Sequence, residues 1–297
     1  KVLADSFNSV DVHYFVTSGH ATQHDWQIIY NKNEGSLRHD KKGHLGFMTP
    51  TGDVYPLTKA SPKIYLAAGN CLIGHVDQRA CMATSWLHSG GVEQFCGYPC
   101  LTFFGFMGWG IKSHLEEARC SFAEAYYLQN QLLLWVISHK KNGALMTCEI
   151  PPEDFTDGRH VRDFIQKHVR ELVKLENGQP ALDQDSLGLL WDRDIVAFYG
   201  DPAQRVTFPK ERQTVNVEVK GAEVRVNFKK EMSFGKLNDV KSARPVLALL
   251  DQPPAGTKLV DAAGKPVEDS VVNDRFLLIP ITGKHAAGET LRYRIVR

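Results

Sequence analysis

The sequence predicts an α/β domain with a mostly parallel sheet flanked by helices, followed by a smaller all-β domain. Residues 12–17 and 63–68 are continuous apolar runs that end at turn signals, and such runs suit a parallel sheet buried on both faces. After Pro202 the pattern changes to short strands of alternating apolar and polar residues, which is typical of a β-sandwich. We therefore expect one domain over residues 1–204 and a second over residues 205–297.

The remaining elements of the first domain follow in chain order. Helical spacing of apolar residues predicts helices at residues 79–89, 121–139 and 159–176, and paired glycines end the first of them. Apolar runs rich in β-formers predict two more strands, at residues 92–98 and 194–199. Together with the two runs above, these give four strands for one sheet.

The second domain is predicted from strand alternation alone. Residues 214–219 and 223–228 alternate on either side of Lys220-Gly221, which is a hairpin signature. The same pattern continues in four short runs, at residues 246–250, 257–260, 276–279 and 291–296.

Composition narrows the function classes. The formal charge of +1 at pH 7 argues against a nucleic-acid-binding surface, which needs a marked excess of Lys and Arg. No stretch approaches the roughly 18 consecutive apolar residues of a membrane span. The six cysteines include no Cys-x-x-Cys pair, so neither a zinc ribbon nor a thioredoxin-like site is indicated. The cysteine count leaves the redox compartment undecided.

Reactive side chains follow both apolar runs that open the predicted sheet. His20 follows the first run after the turn Ser18-Gly19, and Cys71 follows the second after Gly69-Asn70, about 50 residues later. Since ligands bind outside the carboxyl ends of the strands in open α/β sheets, we expect these two residues to lie on one edge and approach each other. A nearby imidazole activates a cysteine nucleophile or supplies the leaving-group proton.

Other interpretations of these residues remain open. A single Cys or His after a strand is more often a packed or exposed residue than a catalytic one. Five histidines could also suggest zinc, but no Glu follows His20 in a His-Glu-x-x-His pattern; they are His20, His24, His39, His44 and His75. Cys81 in a predicted helix and Cys96 in a predicted strand suit small buried hydrophobic positions better than nucleophiles.

Four short motifs occur in order along the chain. They are Gly-His-Ala-Thr at residues 19–22 with Trp26, Ala-Ala-Gly-Asn-Cys-Leu-Ile-Gly at residues 67–74, the small-residue helix at residues 81–91 before Gly97-Tyr98, and Gly-Asp-Pro at residues 200–202. This series resembles gingipain-type cysteine peptidases, which are caspase-fold enzymes of bacteria. The resemblance implies a caspase-like first domain and an immunoglobulin-like second one.

The resemblance also implies a cysteine endopeptidase and assigns residue roles. Cys71 would be the nucleophile and His20 its partner, with the backbone N–H groups of Cys71 and Ala21 forming the oxyanion hole. Trp109, Gly19 and Asn70 would bind the peptide substrate, although Trp109, in the loop-like run 103–110, could instead belong to the core. Catalysis would need no metal, structural calcium is compatible with the family, and the location would be extracellular, periplasmic or at the cell surface.

Two departures from the family pattern qualify this reading. The family has Gly where this chain has Ala21, and a left-handed backbone there would be strained. The strand that carries the His is the third in this fold, so we expect the opening strands to belong to an N-terminal fragment of the same precursor that stays bound. Both departures leave open a catalytically silent member that serves as a binding or cell-surface module.

Overall fold

The computed structural model describes nine segments of the chain. They are residues 1–28, 34–58, 61–102, 104–117, 120–140, 146, 184–205, 213–234 and 245–297. These residues fold into two compact units. Unit 1 contains residues 1–112, 121–126 and 143–206, and unit 2 contains residues 113–120, 127–142 and 207–297. Parts of two helices therefore belong to unit 2, a division that the sequence pattern does not suggest.

A four-stranded mixed sheet forms the centre of unit 1. Its strands are β1 (Tyr14–Gly19), β6 (Lys63–Asn70), β7 (Val92–Gly97) and β8 (Ala197–Gly200), in the order β1-β6-β7-β8. β6 pairs in parallel with both β1 and β7, whereas β8 is antiparallel to β7. Each of the four predicted strands is present within a few residues of its expected position. β6 and β7 are mostly buried, whereas β1 and β8 are mostly half-buried.

Helix α2 (Met82–His88) covers one face of this sheet, as helical spacing predicts. Its Trp86 is fully buried against Tyr65 of β6 and Phe15 of β1, with ring centroids 4.9 and 5.5 Å apart. A helix that the sequence analysis does not foresee, α1 (Val2–Ser9), adds Phe7 to the same aromatic cluster. This packing fixes β1 and β6 side by side.

Several elements of unit 1 were not predicted. A second sheet of four antiparallel strands contains β2 (Asp25–Gln27), β3 (Ser36–His39), β4 (Leu45–Met48) and β5 (Val54–Pro56). The run 103–110 was expected to be loop-like, but helix α3 (Phe106–Glu117) begins inside it, so that prediction was wrong.

Two further helices, α4 and α5, follow α3 along the chain. Helix α4 (Phe122–Lys140) matches the helix predicted at residues 121–139, and α5 (Gln184–Asp194) was not predicted. The helix predicted at residues 159–176 lies outside the described residues, as does Cys148. None of the described helices is both long enough and apolar enough to cross a membrane.

Strand β1 is an edge strand of the described sheet. It pairs with β6 on one side, and no other described strand pairs with it. An edge strand that nothing covers would expose Val12, Tyr14, Phe15 and Val16, an aggregation hazard. All four are half-buried. Packing by Phe7 explains part of this burial, since its ring lies 4.8 Å from that of Phe15.

Unit 2 contains an all-β part whose strands share one apolar cluster. A hairpin of β9 (Val215–Lys220) and β10 (Glu223–Phe228) forms at the predicted turn, where Gly221 has a φ of 61°. The other strands are β11 (Met232–Phe234), β12 (Val246–Leu249), β13 (Lys258–Asp261), β14 (Val271–Val272), β15 (Phe276–Ile279), β16 (Gly283–His285) and β17 (Thr290–Val296). They form sheets ordered β13-β17-β10-β9, β12-β15-β14 and β11-β16.

Candidate active site

His20 and Cys71 directly follow two residues that the central sheet pairs. Gly19 at the end of β1 is opposite Asn70 at the end of β6, and the two strands run in parallel. Neighbouring strands lie ~4.8 Å apart, so the next residue of each chain leaves the sheet at the same edge and beside the other. His20 is exposed and Cys71 is half-buried. The two chain segments that begin with His20 and Cys71 therefore leave the sheet of unit 1 at the same edge.

A tight turn anchors the backbone of His20. The carbonyl of His20 accepts the N–H of Gln27 at 2.9 Å, and the N–H of Thr22 donates to the carbonyl of Asp25 at 2.8 Å. The Thr22 hydroxyl closes the turn by donating to the Asp25 carboxylate at 2.9 Å. Thr22 and Trp26, which are part of the motif quoted above, thus have a structural role: they return the chain immediately after His20.

A second turn positions Cys71. The N–H of Leu72 donates to the carbonyl of Cys100 at 2.9 Å, and the N–H of Gly74 donates to the carbonyl of Tyr98 at 3.0 Å. Leu72 has a φ of 56°, a left-handed conformation that L-residues other than Gly, Asn and Asp rarely adopt. A Cβ at position 74 would lie 2.9 Å from backbone atoms of Gly97, so only glycine fits three residues after the cysteine.

The thiol of Cys71 contacts the backbone of Thr102. Sγ lies 3.3 Å from the Thr102 carbonyl oxygen, to which the thiol donates, and 3.3 Å from the Thr102 nitrogen, whose N–H donates to sulfur. Burial raises the pKa of Cys71 above its ordinary value of 9.0, and hydrogen bonds from the N–H groups of Thr102 and of Cys71 itself oppose that rise. The resting side chain is therefore a neutral thiol.

Ala21 does not have the strained backbone that its replacement of glycine suggested. Among the described residues only Leu72 and Asp269 combine a side chain with a positive φ, and the positive φ near His20 belongs to Gly19, at 132°. Ala21 pairs with Trp26 across an isolated bridge whose hydrogen bonds run through the residues on either side. In such a pair the N–H of Ala21 points away from Trp26.

The two other residues expected to bind substrate near the strand ends are buried. Gly19 is buried. Asn70 is 0% exposed, and both polar atoms of its side chain form hydrogen bonds inside the sheet. Asn70 therefore has no side-chain atom available to a substrate, and its position suits a structural role.

Trp109 lies next to the end of β6 on helix α3. Its side chain is 49% exposed, so it is not part of the core, the alternative left open by the sequence. Its Nε1 lies 3.9 Å from the place where a Cβ on Gly69 would be, two residues before Cys71. Gly108 contacts the carbonyl of Ala68 so closely that a Cβ there would overlap it. This close approach of α3 to β6 places the indole beside Gly69.

Sequence reasoning missed the residues that hold α3 in place. The buried Asp192 on α5 accepts the N–H of Met107 at 2.8 Å, in the first turn of α3. The N–H of Gly108 donates to the hydroxyl of Tyr98 at 3.0 Å. Burial raises the pKa of Asp192 to about 7, against the hydrogen bonds from Met107, Phe106, Gly105 and Tyr98 that lower it. No local motif marks Asp192, because its role depends on tertiary burial.

Three of the histidines considered as zinc ligands, His24, His39 and His44, have side-chain hydrogen-bond partners in the structure. Nδ1 of His24 lies 3.1 Å from Nε2 of His39, and Nε2 of His24 lies 3.3 Å from the Asp77 carboxylate. His44 contacts Asp40 at 3.0 Å. His20 and His24 both lie in the segment before β2 and do not share a helix. Within the described segments no group of three or more His, Cys, Asp or Glu side chains could hold a metal ion.

Five of the six cysteines lie in the described segments, and four of these have free thiols: Cys71, Cys81, Cys96 and Cys100. Cys81 and Cys96 are fully buried, as expected of small hydrophobic positions. Cys100 is half-buried, and burial raises its pKa to about 12.

Comparison of the chain with protein-family models, with curated protein sequences and with solved structures finds no match.

Proposed function

We propose that the chain is a cysteine endopeptidase in which Cys71 attacks a peptide carbonyl and His20 acts as the general base and acid. The observation that supports this proposal is the register of β1 and β6, which pairs Gly19 with Asn70, the two residues that immediately precede His20 and Cys71. A thiol and an imidazole at the carboxyl ends of paired parallel strands have the arrangement that nucleophilic catalysis requires.

The reaction follows from the state of the thiol. Since burial raises the pKa of Cys71, a base has to take its proton as sulfur bonds to the carbonyl carbon. His20 is the exposed imidazole next to that thiol, and it would pass the proton to the amine as the C–N bond breaks. A water molecule, deprotonated by His20, would then hydrolyse the thioester and release the acid product.

Backbone N–H groups would stabilise the oxyanion. Ala21 directs its N–H away from Trp26, and the N–H of Cys71 lies at the end of the neighbouring strand. Two such donors fixed on a rigid sheet are the usual means of stabilising a tetrahedral intermediate. The absence of a positive φ at Ala21 removes the strain argument against this role.

The finer identity of the molecule belongs to the same proposal. The motif resemblance supports a gingipain-type peptidase, with a caspase-like unit 1, an immunoglobulin-like fold for the all-β part of unit 2, and a location outside the cytoplasm. The mixed sheet of unit 1 and the several small sheets of unit 2 are compatible with both folds. Substrates would be proteins or peptides, with Trp109 at the primary specificity pocket.

Labelling with peptidyl acyloxymethyl ketones tests the proposal. We expect the reagent to modify Cys71 selectively and to inhibit hydrolysis of a fluorogenic peptide library, and we expect Cys71→Ala and His20→Ala to abolish both. Cys100→Ala is the matched control, because Cys100 is also half-buried. Its backbone carbonyl accepts the N–H of Leu72, and the substitution keeps that hydrogen bond. Labelling spread over several cysteines, without hydrolysis, would favour the silent binding module instead.

A further inference from the structure

Asn70 joins the two strand ends through its side chain. Its Oδ1 lies 2.7 Å from the hydroxyl of Thr17 on β1, and its Nδ2 donates to the carbonyl of Gly19 at 3.1 Å. The Thr17 hydroxyl in turn lies 2.7 Å from the hydroxyl of Tyr65. Asn70 and Tyr65 are 0% exposed and Thr17 is 4% exposed, so these bonds are shielded from bulk solvent.

The direction of each bond follows from the donor count. The Gly19 carbonyl only accepts, so the amide nitrogen of Asn70 must face it and the amide oxygen must face Thr17. The Thr17 hydroxyl has one proton, which it gives to Asn70, and the Tyr65 hydroxyl therefore donates to Thr17. The series Tyr65, Thr17, Asn70, Gly19 is satisfied in this one direction, and reversing the amide of Asn70 would set two carbonyl oxygens against each other.

This side chain acts where the backbone ladder is irregular. The pairing of β1 with β6 shifts register between Thr17 and Ser18, and such a bulge disrupts the ladder locally. Asn70 supplies a bond to the backbone of β1 beyond that point. Asn70 directly precedes Cys71, and Gly19, whose carbonyl it binds, directly precedes His20. One amide therefore links the points at which the two chain segments leave the sheet.

We propose that Asn70 is a positioning residue that sets the spacing of His20 and Cys71, with Thr17 as its buried support. This inference rests on the proposed function and assigns Asn70 no contact with substrate. A displacement of about 1 Å between reacting groups costs on the order of 100-fold in rate. The effect of changing Asn70 should therefore fall on kcat, while KM stays within about two-fold of the unaltered enzyme.

The decisive variants are Asn70→Asp and Asn70→Ala. A carboxylate at position 70 still accepts from Thr17 but cannot donate to Gly19, whereas its protonated form can. We expect kcat to fall on the order of 100-fold in both variants at pH 8. As the pH is lowered toward 5, Asn70→Asp should recover relative to Asn70→Ala. Thr17→Val should lose less than Asn70→Ala, and Tyr65→Phe least, because each is one bond further from the strand ends.

A structural control separates positioning from folding. Gln94 is a buried amide in the same sheet that donates to the carbonyl of Asp201, away from the candidate site. Gln94→Met should lower the midpoint of urea unfolding and leave kcat unchanged. If Asn70→Asp and Asn70→Ala retain kcat, or if their ratio does not change with pH, the inference is overturned and the peptidase proposal stands.

A second readout keeps the inference testable if no peptide is cleaved. The rate of Cys71 alkylation by iodoacetamide depends on the thiol and its neighbours and needs no peptidase activity. His20→Ala should change the pH profile of that rate, because the proposed function puts the imidazole beside the thiol. Asn70→Ala should shift the profile in the same direction, and Gln94→Met should not. An Asn70→Ala profile that coincides with that of the unaltered protein would contradict the positioning role.

Discussion

The backbone of Thr102 holds the thiol of Cys71 from two sides. Its N–H and its carbonyl oxygen both lie 3.3 Å from Sγ, the first as a donor to sulfur and the second as an acceptor from the thiol proton. The N–H bond persists when the proton leaves, whereas the carbonyl then faces a negative charge. Thr102 therefore stabilises the neutral thiol with both groups and the thiolate with only one.

This contact predicts the pH dependence of alkylation. Since burial raises the pKa of Cys71 above 9.0, the rate of its reaction with iodoacetamide should still be rising at pH 9. Thr102→Pro deletes the N–H donor and should raise that pKa further, and Thr102→Ala, which keeps both backbone groups, is the control. Mass spectrometry of the modified peptide measures the rate. A plateau below pH 8 would contradict the burial argument.

The left-handed backbone of Leu72 predicts a difference between two substitutions. Asn tolerates a φ near 56°, whereas a β-branched side chain there adds a steric penalty. Leu72→Val should therefore be less stable than Leu72→Asn by about 1–2 kcal/mol, the usual cost of a disfavoured backbone conformation. Urea unfolding monitored by tryptophan fluorescence gives the comparison. Equal midpoints for the two variants would show that position 72 is not strained.

Asp192 predicts a loss of stability as the pH rises. Its pKa is about 7 in the folded chain and 3.8 when unperturbed, so between these values the folded state binds a proton that the unfolded state has lost. Stability is then highest below pH 4, falls between pH 4 and 7 by roughly 4 kcal/mol, and is constant above pH 7 as far as this group is concerned. Asp192→Asn should remove most of that slope.

The test for Asp192 is a series of urea titrations from pH 4 to 8. The difference between the unaltered protein and Asp192→Asn isolates this carboxyl from the others, and Asp53→Asn, at an exposed turn, is the matched control. A difference that stays constant with pH would mean that Asp192 ionises normally.

Trp109 predicts an effect on substrate selection. If its half-exposed indole forms a wall of the primary pocket beside Gly69, Trp109→Ala should raise KM several-fold or change the residue preferred at the cleavage site. Leu87→Ala removes another exposed apolar side chain, on α2, and should do neither. Cleavage profiles of a peptide library distinguish the cases. An unchanged profile would remove Trp109 from the site.

The sequence was most informative where burial is continuous. β6 is recognisable as a strand because it is a continuous apolar run that is buried along almost its whole length. The argument for the site also needs β1 and β6 to be parallel neighbours, and the structure pairs them so. The strands from β2 to β5 are three or four residues long, too short for alternation to register.

Residues whose role arises from tertiary contacts were beyond the sequence. Helix α3 begins among Gly105, Gly108 and Gly110, which lower helix propensity, so its run appeared loop-like until packing on β6 decided it. Thr102 acts through its backbone, which carries no residue-type signal. Asn70 was expected to bind substrate, and no sequence signal shows that its side chain instead bonds to Thr17 and Gly19 inside the sheet.

The near-contact of Gly108 with the Ala68 carbonyl has a consequence for how this chain can vary. The close spacing between α3 and β6 is possible because Gly108 has no side chain. An alanine at this position would overlap the Ala68 carbonyl, so the helix would have to move outward. A deep mutational scan should then find position 108 nearly closed to substitution, while Trp109, one residue later and facing solvent, accepts many side chains without loss of abundance. Two neighbouring codons would thus evolve under different constraints: position 108 would be conserved for folding, and position 109 would be free to diversify.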